Sequence, residues 1–359
     1  MADSSRPPLF AGVSLVLLTS CASAPDEDPP PDAPTVMDGA ADEAAESGDD
    51  GEETEPAEGF EEIDEKLSEL PGEVQAVVME DGEPLVAVGD GAAPLASVAK
   101  LYVALALAEE VEAGEVDWHD SLEVTEELRS LPSGTLQDQQ DGYETTIYDI
   151  AQRMIQISDN TGTDMLIDLL GRDAVEAAVT GSGHHDPSLM EPFLTTREMF
   201  QLRWGFPELG AEWTGSGEED RREALEGIAD EDLEITSEDV SGDDVDFGID
   251  WHGGTEDLVS LYETLFEKVK EQEELKTVLA TNSGLTFEGF DPEDLWWDTL
   301  AFKGGSLPGV LNGAWHAAEE DGPSRTVIIL TQHEDVEELD EHSDELFSLA
   351  EEALTLESP

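Results

Sequence analysis

The chain has 359 residues, 89 of them Asp or Glu against 15 Lys or Arg, for a formal net charge of −74. So acidic a chain does not wrap a phosphate backbone, which requires Lys and Arg to displace counterions, so nucleic acid is excluded as a partner, and charge does not hold it to an anionic membrane. An apolar fraction of 38% with 7 Trp and 11 Phe suffices for a core in one large or two ordinary domains, while the single Cys excludes an intrachain disulfide and CxxC-type zinc sites.

Residues 9–20, LFAGVSLVLLTS, form an apolar run too short for a stable bilayer-spanning helix, and they fit the apolar region of a secretory signal. The next residues, Leu18-Thr19-Ser20-Cys21, resemble a bacterial lipobox, in which the Cys is lipidated and becomes the first residue of the mature chain. Residues 1–21 are therefore read as a lipoprotein signal, and the protein as extracytoplasmic and held to the membrane through Cys21 (periplasmic or on the outer surface). Residues 22–59 carry 14 acids and no base, with repeated Pro and small residues. Such a segment buries too little to offset its chain entropy and is expected to be a disordered, self-repelling tether. A charge of −60 remains on the other residues, among only six Lys. This fits a halophilic surface, where salt shortens repulsion to a few ångströms; an unusually acidic protein in ordinary medium is the alternative.

In chain order, Phe60, Ile63, Leu67 and Leu70 recur at helical spacing and stop at Pro71-Gly72. Residues 73–90 read as two strands turning at Asp81-Gly82. Residues 96–112 form a helix apolar on nearly all sides, hence buried. Two helical stretches between Tyr148 and Leu170 are broken by Ile157-Ser158-Asp159-Asn160; helix continues over 173–179 and 196–202. Residues 205–250, rich in Gly and acids, are expected to be long loops, followed by helix over 258–279. Strands are expected at 296–302, 310–317 and 325–331, and an acidic amphipathic helix over 336–356. Strands at both chain ends can share one antiparallel sheet with terminal helices on a face, and residues of about 97–280 form an all-helical lobe. The fold class is α+β, with one domain over 60–357 and a cleft at the seam of the lobes.

Ser97 opens the buried helix, where the helix dipole and free N–H groups are close. Lys100 lies one turn on, and an ammonium buried there can lose its proton and serve as base for the hydroxyl. Taken alone, this could be a capping Ser beside a solvated Lys, but LYVALAL follows Lys100 and argues for burial. Ser158-Asp159-Asn160 interrupts an apolar helix pair and needs partners, or serves simply as a helix cap. Lys303-Gly304-Gly305 follows the apolar WWDTLAF, and paired glycines on a strand mark a close backbone approach, by a ligand or at a bulge.

Together, Ser97-x-x-Lys100, Ser158-Asp159-Asn160 and Lys303-Gly304-Gly305 resemble the S-x-x-K, S-D-N and K-T-G motifs of class A β-lactamases and penicillin-binding proteins, in the same order. The resemblance covers about residues 60–357 and implies a β-lactamase/transpeptidase-like fold. It implies a Ser97 nucleophile with Lys100 as base or relay, and Ser158 passing a proton to the leaving group with Lys303. Asn160 would hold Lys100 and a substrate amide, the N–H groups of Ser97 and Ser306 would form the oxyanion hole, and Gly304 and Gly305 would line the substrate. The reaction implied is β-lactam hydrolysis (EC 3.5.2.6) on a β-lactam or related amide or ester by a monomer, with neither cofactor nor metal. Two departures stand out. Gly304 has no hydroxyl for a substrate carboxylate. Glu191-Pro192-Phe193-Leu194 is similar to the Ω-loop stretch that carries the deacylating Glu, but Thr195 replaces the usual Asn and the loop is short. A D,D-peptidase or esterase with slow deacylation, acting on cell-wall peptide, is thus the alternative; a non-catalytic cell-wall-binding lipoprotein is another. His184-His185-Asp186 reads as a polar loop whose adjacent rings point apart, Asp164 and Arg172 as helix-surface residues, and Trp296-Trp297 as core and rim.

Overall fold

The computed structural model describes residues 56–357 except 132, 230, 238, 241–243, 281–296 and 321. The signal segment with Cys21, tether residues 22–55 and Trp296 lie outside the described residues. The end of the tether is already fastened: Ala57 N–H donates to Leu85 O at 2.8 Å.

Among the described residues, nine strands form: β1 (Glu73–Glu80), β2 (Glu83–Val88), β3 (Ala93–Pro94), β4 (Ser121–Val124), β5 (Tyr143–Thr146), β6 (His252–Gly253), β7 (Thr299–Leu307), β8 (Val310–Ala318) and β9 (Ser324–Gln332). Five of them make one antiparallel sheet in the order β2-β1-β9-β8-β7, so strands from both chain ends do share it. Asp81 and Gly82 turn β1 into β2 with φ of 48° and 82°. Positive φ at both positions matches the right-handed twist of the flanking strands.

Helix α1 (Glu61–Glu69) precedes the sheet, and α2 (Lys100–Ala113), α3 (Ile147–Gln156), α4 (Asn160–Leu170) and α5 (Arg172–Gly181) form the centre of the helical lobe. Then come α6 (Thr196–Phe200), α7 (Pro207–Trp213), α8 (Glu218–Ile228), α9 (Thr255–Val269), α10 (Glu273–Leu279), α11 (Val336–Glu341) and α12 (Ser343–Thr355). Alternation along the strands sends successive side chains to opposite faces. Val77, Ile328 and Leu330 enter the core shared with α2 and the lobe, whereas Ala76, Val78, Val327 and Ile329 enter a second core with α1 and α12. Residues Lys100–Ala108 of α2 are all buried, as an all-round apolar helix must be.

The stretch expected to be loops contains α7 and α8. Trp213, Leu225 and Ile228 are their buried large apolar residues, too sparse to register as a period in so acidic a stretch. Glu218, Glu219 and Asp220 favour the start of α8, where the helix dipole is positive. The long helices expected over 258–279 and 336–356 are each divided, at 270–272 and at His342. Two small ladders, β3–β6 and β4–β5, had no signal of their own length.

One buried cation ties sheet to terminal helix. Arg325 on β9 is fully buried, donates through Nε to Glu80 Oε2 at 2.9 Å, and caps α12 through Nη1 to Ala353 O and Leu356 O at 2.7 and 2.6 Å. Arg325→Met is expected to cost about 3–5 kcal/mol of unfolding free energy, because Glu80 and two carbonyls lose their donors. Denaturant titration reads the loss, and hydrogen exchange should show it concentrated in 343–355.

Candidate active site

The turn that carries Ser97 begins with an unusual backbone. Ala96 has φ of 48°, a left-handed conformation that costs an L-residue about 1–2 kcal/mol. A 3₁₀ turn over Ala96–Ala99 follows and runs into α2 at Lys100. Ser97 is half-buried, and its N–H is among the first donors of the helix, which have no acceptor within it. Strand β7 closes the other side. A Cβ on Gly305 would lie 2.5 Å from Leu95 O and 3.0 Å from the Ser97 and Val98 nitrogens. Only glycine permits this approach, which brings the free edge of the sheet against the turn.

Lys100 is 3% exposed and its ammonium has three acceptors: Ser158 O at 2.7 Å, Ser158 Oγ at 3.0 Å and Asn160 Oδ1 at 2.6 Å. Lys303, 2% exposed, donates to the same Ser158 Oγ at 3.0 Å and to Gly304 O at 2.6 Å. Burial lowers Lys100 to about 7, against the pull of the Asp159 and Asp164 carboxylates. Burial lowers Lys303 well below the ordinary ammonium range, and the neighbouring Lys100 lowers it further. Thus Lys100, Ser158, Asn160 and Lys303, distant in sequence, form one hydrogen-bonded cluster beside the Ser97 turn.

The loop between α3 and α4 achieves this through Ser158, whose φ of 55° turns both its carbonyl and its hydroxyl toward Lys100. Asp159, fully buried, caps α4 through Gly162 N–H at 2.8 Å. Its other oxygen accepts from Thr135 and Leu136 N–H at 2.6 and 2.9 Å. Asn160 donates to Leu131 O at 3.0 Å, and Ser133 Oγ to Ser158 O at 2.5 Å. Leu131, Ser133, Thr135 and Leu136 therefore hold the motif from outside.

Glu191 does not join this cluster. It follows the 3₁₀ turn Pro187–Met190, its carbonyl accepts from Arg221 at 3.3 Å, and the charges acting on its carboxylate are Glu218, Glu176, Arg222 and Asp186. Partial burial and those acids raise its pKa. Ser306 is exposed on β7, and Gly304 is half-buried beside Lys303.

Three surface readings need correction. Asp164 is buried, and its oxygens accept from Thr196 N–H at 2.7 Å, Thr196 Oγ1 at 2.9 Å and Arg197 N–H at 2.9 Å. Burial pushes it up to about 7 despite those bonds. Arg172 reaches back to the Phe193 carbonyl and to Glu198 at 2.7 Å. The His184 and His185 rings do not point apart; they stack at 5.1 Å and 14°. With Asp257 they are a possible metal-ligand group. However, His184 Nδ1 accepts from Asp186 N–H at 3.1 Å, so its proton is on Nε2 and goes to His252 O at 2.9 Å. Neither ring nitrogen of His184 keeps a lone pair for a metal. Asp250, missed in the sequence because one Asp among 89 acids carries no signal, accepts from Ala96 N–H at 2.9 Å.

Residues 60–236 match the family model described as the β-lactamase enzyme family. No curated protein sequence matches the chain. Among solved structures, a β-lactamase from Sphaerobacter thermophilus is 22% identical with a TM-score of 0.51, covering 84% of this chain and 99% of its own. PBP-A is 19% identical with a TM-score of 0.52, covering 81% and 95%. The TLA-1 extended-spectrum β-lactamase is 15% identical with a TM-score of 0.53, covering 82% and 97%. The fold is that of β-lactamases and transpeptidases, α+β with an antiparallel sheet. Over residues 60–236 the chain is thus similar to the β-lactamase enzyme family, and it shares the fold of these structures.

The close approach at Gly305 gives a direct test. Gly305→Ala should displace β7 from the Ser97 turn, since the new methyl meets backbone that cannot yield. Serine labelling by a fluorescent penicillin or a fluorophosphonate should slow about a hundredfold, the loss typical of an ångström-scale misplacement.

Proposed function

We propose that the domain forms an acyl-enzyme on Ser97 with a β-lactam or a related amide or ester. The observation that carries this reading is the convergence of Lys100 and Lys303 on Ser158 Oγ beside the Ser97 turn. Lys100, with its pKa near 7, is neutral in a large fraction of molecules at neutral pH. Losing a proton ends one of its three donor bonds and frees a lone pair. That lone pair takes the Ser97 proton while Oγ bonds to the substrate carbonyl carbon. The N–H groups of Ser97 and Ser306 hold the oxyanion; such donors contribute about 2.7–4 kcal/mol each. As the bond from carbonyl carbon to the leaving nitrogen or oxygen breaks, Ser158 gives that atom its proton and is reprotonated by Lys100 or Lys303. Asn160 keeps Lys100 in place, and the backbone at Gly304 and Gly305 lines the substrate. Gly304 brings no hydroxyl for a carboxylate.

Deacylation is the slow step in this reading. Glu191 stands among Glu176, Glu218 and Arg222, and Asp164 is committed to Thr196 and Arg197. In this reading neither activates a water at the acyl carbon. A D,D-peptidase or esterase on cell-wall peptide fits better than rapid β-lactam hydrolysis, and the PBP-A variant solved as a penicillin G acyl-enzyme is a precedent on this fold. Anchoring through Cys21 outside the cytoplasm would set such an enzyme beside the wall.

Intact mass after exposure to a penicillin should show one persistent adduct, absent in Ser97→Ala. Rapid turnover with no adduct would restore Glu191 as deacylating base, and no adduct without turnover would remove the enzymatic reading. The acylation rate should rise with pH through about 7 and level off above it, because the reactive Lys100 is the unprotonated one; stopped-flow labelling across pH 5–9 reads the profile.

A further inference from the structure

We propose that Asp250 is a positioning residue that fixes the peptide on which the nucleophile turn depends; the inference rests on the Ser97 acyl-enzyme reading. The peptide between Leu95 and Ala96 is held on both sides. Its N–H donates to Asp250 Oδ1 at 2.9 Å. Its C=O accepts from Val98 N–H at 3.1 Å and lies on the side where β7 passes, within 2.5 Å of the place a Gly305 Cβ would occupy. In a trans peptide the two groups point in opposite directions, so a flip would turn the carbonyl oxygen toward the carboxylate and the N–H toward Gly305. Burial raises the Asp250 carboxyl to about 7, and in its ionised form the oxygen accepts the N–H and repels the carbonyl. It therefore selects one orientation, and with it the left-handed Ala96 that precedes Ser97.

Asp250 is itself well fixed and poorly compensated. Oδ1 also accepts from Trp251 N–H at 2.7 Å, and Leu95 N–H donates to Trp251 O at 2.7 Å where β3 begins to pair with β6. The residue is 6% exposed, and its Oδ2 has no hydrogen-bond partner among the described residues. The opposing charge is Arg203, 6% exposed, whose Nε and Nη1 also have none. A carboxylate so buried costs stability. Its return is the orientation of one peptide in the turn that presents the nucleophile.

Asp250→Ala is expected to slow Ser97 labelling by tenfold or more, while the half-saturating probe concentration stays within about threefold. Ala96→Gly in that background should restore most of the rate, because glycine adopts positive φ without the cost that drives the flip. A merely structural loss would not be rescued by removing a methyl group. Both a fluorescent penicillin and a fluorophosphonate serve as probes. Labelling of Asp250→Ala at the wild-type rate, or no recovery in the double variant, overturns the proposal. If Asp250→Ala does not fold, the double variant is expected to fold and label; failure of both overturns it. Wild-type protein labelled by neither probe overturns the acyl-enzyme reading and this inference with it, and is told apart by needing no variant.

Discussion

Two buried ammonium groups share one serine hydroxyl, and most of the domain's arrangement follows from that constraint. Lys100 and Lys303 both reach Ser158 Oγ at 3.0 Å. Like charges so close and so dry cannot both stay ionised at little cost, and protons leave the pair early. The chain meets this by surrounding Lys100 with acceptors and by leaving Asp159 and Asp164 near enough to moderate the loss. The result is an amine near neutrality inside a protein whose surface is strongly acidic. Burial does most of the tuning, and the surplus of surface carboxylates does not reach it.

Holding that cluster requires backbone that sequence preference would avoid. Ala96 and Ser158 are both left-handed. Each is over-determined by its surroundings: Ala96 by Asp250 and the strand at Gly305, Ser158 by two lysines and Ser133. Strained residues of this kind persist only under such constraint. The same logic explains why Asp159, Asp164 and Asp250 are buried near the site. Each accepts backbone N–H groups that would otherwise be unpaired there.

How much of this was legible depended on whether residue type or residue environment carried the information. The hairpin at Asp81-Gly82, the buried α2 and the central strands announce themselves through turn chemistry and period. The three motifs did so because Lys is scarce: two of six lysines fall where a buried ammonium is needed. Acidic residues carry no such contrast. Asp164 read as surface and Asp250 was passed over because neither differs in type from dozens of exposed acids; only the N–H groups they meet set them apart. Helices α7 and α8 were hidden for the same reason, their few apolar anchors diluted by charge. Glu191 has the expected neighbours in sequence, and in space the charges acting on its carboxylate are Glu218, Glu176, Arg222 and Asp186.

The charge balance also bears on how the two halves of the site stay together. Ser97, Lys100 and Ser158 come from the helical lobe, and Lys303 from the edge strand, so the cluster spans the seam. Across that seam the links are short and buried: the Gly305 approach, the Lys303 bond to Ser158, and Asn312 Nδ2 donating to Pro94 O at 2.8 Å. None involves a surface ion pair, which salt would weaken. A domain with this much like charge outside experiences repulsion that depends on ionic strength, while the contacts that set the geometry of the cluster are shielded from it by burial. Ionic strength should therefore act on the stability of the whole domain far more than on the alignment of Ser97, Lys100 and Lys303 within its folded form.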